Sequence, residues 1–180
     1  MNNSSGNTTN RPFWSLQQGF RLPLLTIWTC LLLLFFGTAC QKSAVFEEQR
    51  IFSEDTWAVQ DTLHFPFTLE TTTSKDILCA VRYEQAYRYC NLHLDYALVT
   101  FAGDTLKSGD HTSELFRCQG EGVPQGSGTG GWYDQELPLL QNFSVPEAGK
   151  YRLILRQQMR DDTLAHIRAV GAVVYEHKSD

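Results

Sequence analysis

Three small residues, Gly37-Thr38-Ala39, run straight into Cys40. Small side chains are what a signal peptidase accepts beside its scissile bond. A cysteine just after that bond offers a thiol for alkylation by a diacylglyceride, and cleavage frees an amine for a further acyl chain. Other segments offer less chemistry. Gly120–Gly131 is glycine-rich, but a phosphate cradle needs a strand before it, a helix after it and usually a Lys. Here Trp132-Tyr133 and Pro138 follow, no Lys is present, and the charge inside is the negative Glu121. The stretch reads as a flexible surface loop where a partner could dock. His64, His93, His111, His166 and His177 show no metal-ligand spacing, and no G-x-S-x-G elbow is present. The acid pairs Glu47-Glu48, Glu54-Asp55 and Asp161-Asp162 read as solvated surface. No catalytic residue, metal or cofactor is assigned, and the chain reads as a non-enzyme.

The elements around Cys40 fit the processing reading. Residues 1–39 carry Arg11 and Arg21 as their only charges, ahead of an apolar run from Leu22 to Phe36. That run is shorter than the roughly 20 residues a spanning helix needs. Arginines before a short apolar stretch hold the amino end on the cytoplasmic side. The plainer alternative is an uncleaved membrane anchor with an incidental cysteine. Gln41-Lys42-Ser43 has no Asp beside the cysteine and no acidic run, which points to an outer-membrane protein facing the periplasm.

Removal of residues 1–39 leaves 141 of the 180 residues, enough for one domain with its own core. Of 15 Lys and Arg, two leave with the segment, so 13 face 20 Asp and Glu, a net −7. That balance argues against a nucleic-acid partner. It also leaves attachment to lipid to the acyl chains rather than to a basic patch. Cys79, Cys90 and Cys118 remain beyond Cys40. A Cys79–Cys90 bridge is geometrically open, but the favoured reading is three small buried hydrophobes.

Beyond a tether to about Arg50, period-two alternation marks strands. Leu63, Phe65, Phe67 and Leu69 alternate with polar or Pro positions. Ile77, Cys79, Val81 and Tyr83 make the next inward set, then Cys90, Leu92, Leu94, Tyr96 and Leu98. Tyr151, Leu153 and Leu155 follow late, and Ile167–Glu176 gives a last strand. Turn signals fall at Ala102-Gly103-Asp104, Ser108-Gly109-Asp110, Pro146–Gly149 and Asp161-Asp162. A short helical turn capped by Ser113 would fit Ser113–Arg117. The expected fold is all-β: a two-sheet antiparallel β-sandwich, with jelly-roll connections as one option, after an N-terminal signal helix. The expected boundaries are 1–39 for the signal, 40–50 for the lipidated start and tether, 51–176 for the sandwich and 177–180 for a tail.

Tyr83, Tyr87, Tyr89, Trp132 and Tyr133 fall at strand ends and loops, where they either close the sandwich or offer a stacking surface to sugar or peptide. The set Arg82-x4-Tyr87-x-Tyr89-x-Asn91-Leu92, the glycine-rich loop ending near Trp132-Tyr133, and Gln158-Met159-Arg160-x3-Leu164-x2-Ile167-x2-Val170-Gly171 occur in that order. With Cys40 and its preceding small residues, they resemble the gliding-motility lipoprotein GldH family of Bacteroidota over roughly Phe46 to Glu176. The departures are His166, where a Gly is expected before the Ile, and Cys90 between Tyr89 and Asn91.

The resemblance implies a non-enzymatic envelope lipoprotein that supports gliding and the type IX secretion machinery, with other envelope lipoproteins or secretion components as partners. A glycan-binding envelope lipoprotein, using Tyr87, Tyr89, Trp132 and Tyr133, is the competing reading. Arg82, Asn91, Met159, Arg160 and Gly171 read as architectural. Both arginines are expected in apolar strand surroundings, paired with carboxylates or loop carbonyls. Asn91 is expected to order its turn by side-chain to backbone bonds.

Overall fold

The computed structural model describes residues 43–120 and 122–178; the targeting segment, Cys40 and residues 41 and 42 lie outside them. Eleven strands are present among the described residues: β1 (Ala44–Ile51), β2 (Thr56–Ala58), β3 (Leu63–Leu69), β4 (Lys75–Glu84), β5 (Asn91–Thr100), β6 (Thr105–Glu114), β7 (Ser127–Thr129), β8 (Trp132–Phe143), β9 (Gly149–Gln157), β10 (Thr163–Ala165) and β11 (Ile167–Glu176). One sheet runs β1-β11-β4-β8-β7, a second β3-β9-β5-β6, and β2 pairs with β10 in a small third. Every pairing is antiparallel.

Setting aside the three-residue strands, the pairs are β1 with β11, β3 with β9, β4 with β8, and β5 with β6. That is one long hairpin wound into two layers, the jelly roll. The all-β sandwich expected from alternation is therefore the fold. In β3 burial alternates at every position, with Leu63, Phe65, Phe67 and Leu69 inward. Ile77, Cys79, Val81 and Tyr83 of β4 face them from the five-stranded sheet, and Leu92, Leu94, Tyr96, Leu98, Leu153 and Leu155 extend the inward layer of β3's own sheet. The small sheet adds Trp57, fully buried, whose Nε1–H donates to Asp61 O at 3.0 Å, and Leu164.

Several expectations are corrected. Residues 44–50, read as tether, form β1, because Phe46 is drawn into the core against Phe67, ring centroids 5.3 Å apart. The domain thus starts at β1 rather than at residue 51. Ser108-Gly109-Asp110 is no turn; it lies inside the polar edge strand β6, where Gly109 leaves room for the Tyr96 ring. No helical turn forms at Ser113–Arg117, since β6 runs to Glu114 and the N–H groups of Leu115 and Phe116 both donate to Cys90 O. The glycine-rich stretch ends in a hairpin rather than a loose loop. Thr129 pairs with Trp132 across Gly130-Gly131, both at positive φ, as a two-residue hairpin turn of the primed kind requires. Gly128 faces Trp132 so closely that a Cβ there would lie 1.9 Å from the Trp132 carbonyl oxygen.

The cysteines also differ. Cys90 is bonded to Cys118, and Cys79 is free. Cys79 points into the core from β4 while Cys90 lies just ahead of β5 in the other sheet, so the core separates them. Hairpin β5–β6 brings the chain after Glu114 back beside Cys90. Burial pushes the Cys79 thiol up to about 12, so it stays protonated.

Candidate functional site

The two sandwich ends differ in character. The end where β1 starts carries the turns 70–74, 101–104 and 144–148. The opposite end carries β2, β10 and the segments 85–90, 115–126 and 158–162. Residues of the sequence pattern that lie some 70 positions apart meet there, because β5 pairs with β9 and sets Leu94 beside Gln157.

Tyr87 is buried, and its hydroxyl donates to Asn91 O at 3.1 Å. Burial drives its pKa well above the ordinary tyrosine value, with the Tyr89 and Asp161 charges adding to the rise. The Tyr89 ring meets Tyr87 edge-on at 5.8 Å and lies under the Arg88 guanidinium at 5.2 Å. A hydrogen bond to Asp161 raises the Tyr89 pKa, opposed by the charges of Arg88 and Arg160. Arg88 itself pairs with Asp161 at 3.2 Å. The 159–161 turn is held from below: the Met159 N–H donates to Gln157 Oε1 at 2.7 Å, and Gln157 Nε2 donates to Asp161 O at 3.1 Å. The His93 N–H points at Met159 Sδ, 3.2 Å away. The Tyr87/Tyr89 ridge thus separates two shallow clefts. One of about 280 Å³ is lined by Asp161, Leu164 and His166; the other, about 250 Å³, by Gln85, Cys90, Phe116 and Gly122.

His166 closes the first cleft with a left-handed backbone, φ 66°. This is the position where the resemblance leads one to expect Gly, and a left-handed φ is one that glycine adopts without steric cost. Glu84 holds the strained residue twice: its N–H donates to His166 O at 3.0 Å, and its carboxylate meets His166 Nδ1 at 2.6 Å. Relief of the left-handed strain is worth about 1 kcal/mol, and a half-exposed pair of this kind stabilises by about the same or less. His166→Gly should therefore leave the melting temperature unchanged or slightly raised. A loss above about 1 kcal/mol would show the Glu84 contact to outweigh the turn.

Trp132 and Tyr133, successive residues of β8, point to opposite faces. Tyr133 packs inward against Tyr83 at 5.8 Å, whereas Trp132 lies outside under the Arg168 guanidinium at 5.0 Å. The four aromatics singled out from the sequence therefore do not make one flat platform. Tyr83, fully buried, is the organiser: its hydroxyl donates to Leu115 O at 2.6 Å and accepts from the Gly126 N–H at 3.1 Å. It ties the 115–126 segment to β4. The sequence groups it with the aromatics that either close the sandwich or offer a stacking surface, and its full burial puts it in the first role.

Arg82 and Arg160 are both exposed, which corrects the apolar surroundings expected for them. Arg82 does face a carboxylate, with Nε 3.8 Å from Asp134 Oδ1, on the outer face of the five-stranded sheet. It borders a hollow of about 420 Å³ lined also by Glu47, Gln49 and Glu136. The Asn91 side chain bonds the His93 ring at 3.1 Å rather than backbone; its own carbonyl takes the Tyr87 hydroxyl. Gly171 of β11 pairs with Gln49 of β1, and a Cβ there would lie 2.5 Å from Glu48 O. Among the described residues, no group of three or more His, Cys, Asp or Glu side chains could hold a metal ion, and no helix is long and apolar enough to cross a membrane.

The chain is 26% identical over 124 residues to a protein of Christiangramia forsetii named gliding motility lipoprotein GldH homolog, covering 68% of this chain and 74% of that one. Among solved structures it is similar to a family GH115 4-O-methyl-alpha-glucuronidase with specificity for decorated arabinogalactans, at TM-score 0.43 and 12% identity over 77% of this chain. The chain spans only 18% of that enzyme's length. A structure of infectious bursal disease virus, Gx strain, matches at TM-score 0.35 and 12% identity, over 77% of this chain and 35% of that one. A family model described as GldH lipoprotein matches residues 44–174, which is the sandwich from β1 to within two residues of the end of β11. The chain belongs to the GldH lipoprotein family.

Proposed function

We propose that the chain is a non-enzymatic envelope lipoprotein, held to the outer membrane by acyl chains on Cys40 and facing the periplasm. There it supports gliding motility or the type IX secretion machinery as an assembly or scaffold component. The observation that carries the reading is the family match across the whole sandwich, supported by Cys40, which follows three small residues ahead of it. The aromatic end supports a partner-facing role: its clefts are shallow, and its polar groups are largely engaged with one another.

Two measurements in the native host test this. Cys40→Ala should abolish labelling with palmitate and release the protein from the membrane fraction; persistent label would sink the lipidation reading. After gentle detergent extraction, the wild-type protein should co-migrate with other motility or secretion lipoproteins, and migration as a lone chain would remove the scaffold role. Retention on a glycan array that is lost on Trp132→Ala would favour sugar binding instead.

A further inference from the structure

Phe101 stands at the tip of the β5–β6 hairpin with 71% of its surface exposed, the most of any large apolar residue described. A large aromatic ring placed wholly in water forfeits stabilisation that burial of its surface would give. Its surroundings are not those of a loose loop. Its N–H donates to Lys150 O at 3.0 Å, Gly103 N–H donates to Thr100 O at 3.1 Å, and the Lys150 ammonium sits 5.5 Å over the ring. Beside it is a cavity of about 260 Å³ lined by Pro66, Phe67, Thr68, Lys150 and Arg152.

This corner lies at the end of the sandwich where β1 starts. Phe46 of β1 touches Phe67, Phe67 touches Tyr151 at 6.2 Å, and Tyr151 is the partner of Thr100, next to Phe101. Only four residue steps separate Cys40 from Ala44, the first residue of β1. Fully stretched, those steps span about 14 Å. A lipid on Cys40 therefore cannot lie far from the end that carries Phe101.

We infer that the Phe101 tip, with Lys150 and Arg152, is a membrane contact that seats this end of the sandwich in the lipid headgroup layer. The inference rests on the proposed acylation of Cys40. An aromatic ring flanked by long cationic side chains suits that layer: the ring enters the boundary with the acyl region while the charges remain among phosphates. Glu70, Asp104 and Glu147 stand in the neighbouring turns, so the contact is centred on the ring rather than on net charge. The Tyr87/Tyr89 ridge at the other end of the sandwich is thereby directed away from the bilayer.

The test uses the full lipidated protein in vesicles of phosphatidylethanolamine and phosphatidylglycerol containing brominated acyl chains. Phe101→Trp should add fluorescence that the bromines quench strongly, whereas the emission added by Tyr89→Trp should be unaffected. Raising the salt should change neither result. Vesicle-bound protein with no quenching at position 101 would overturn the membrane contact and leave the anchor standing. Protein that fails to float with the vesicles would remove the anchor and the contact together. Equal quenching at both positions would show a domain lying flat and would also overturn the inference.

Discussion

Reduction of the Cys90–Cys118 bond, or replacement of both residues by Ser, should destabilise the domain by about 3.5 kcal/mol, from the chain entropy of a loop closed at this separation. The two cysteines are 28 positions apart, and hairpin β5–β6 lies between them. In the unfolded chain the bond removes conformations that the free chain would otherwise gain. In the folded chain it fixes the start of β5 to the segment carrying Phe116, which packs edge-on against Tyr83 at 5.3 Å. Thermal melts with and without a phosphine reductant should differ by on the order of 10 °C. A melting point indifferent to reductant would mean that the backbone bonds from Leu115 and Phe116 to Cys90 O already hold the segment.

Lys75→Ala should cost about 3 kcal/mol, the low end for breaking a buried pair because one partner is half in water. Lys75 is 1% exposed. Its three ammonium N–H groups are shared among four oxygens within reach: Thr71 Oγ1 at 3.1 Å, Thr73 O at 2.8 Å, Thr73 Oγ1 at 2.5 Å and Glu176 Oε2 at 3.0 Å. One side chain thus clasps the β3–β4 turn to the end of β11. Loss of the aliphatic stem leaves a gap, and loss of the charge unties the last strand. Lys75→Met keeps the stem and should cost about half as much. Equal losses for the two variants would show that packing contributes nothing.

The clasp also sets an acid limit. Hydrogen bonds from Thr73 and then Lys75 hold the Glu176 carboxyl below the ordinary 4.5 of a glutamate. A lowered folded-state value means that this contribution is complete above pH 4.5 and is lost as pH falls through the depressed value. In Lys75→Ala that part of the acid dependence should shrink, as a melting series between pH 3 and 6 would record.

Strands with one face in the core were legible in the sequence, and those without one were not. β3, the inward set of β4, most of β5 and β9 carry alternation and stand where it placed them, while β11 was legible as a Val- and Ala-rich run that the core buries on both faces. β6 is an edge strand whose sequence, Thr105–Glu114, has only Leu106 as a large apolar residue, so Ser108-Gly109-Asp110 inside it imitated a turn. β8 is broken by Pro138 and by register shifts opposite Lys75–Leu78. Missing β6 also hid the disulfide. Once 91–114 is a hairpin, Cys118 returns beside Cys90, whereas reading 79 and 90 as neighbouring strands suggested the wrong pair. The convergence of Tyr87, Tyr89 and Asn91 with Met159 was illegible for a similar reason. It depends on β9 lying between β3 and β5, and strand order leaves no local trace.

The pairing of first strand with last sets the order in which this molecule can assemble. Among the described residues β1 has its ladder partner only in β11, the last strand of that set. Joining them closes a loop of nearly the whole domain, the costliest closure available to it. The inner hairpin β5–β6 can form early, and the outer pairs β3–β9 and β1–β11 close around it later. A chain synthesised amino end first therefore keeps β1 unpaired until β11 emerges. Until then Phe46 and its neighbours stay open to chaperones and proteases.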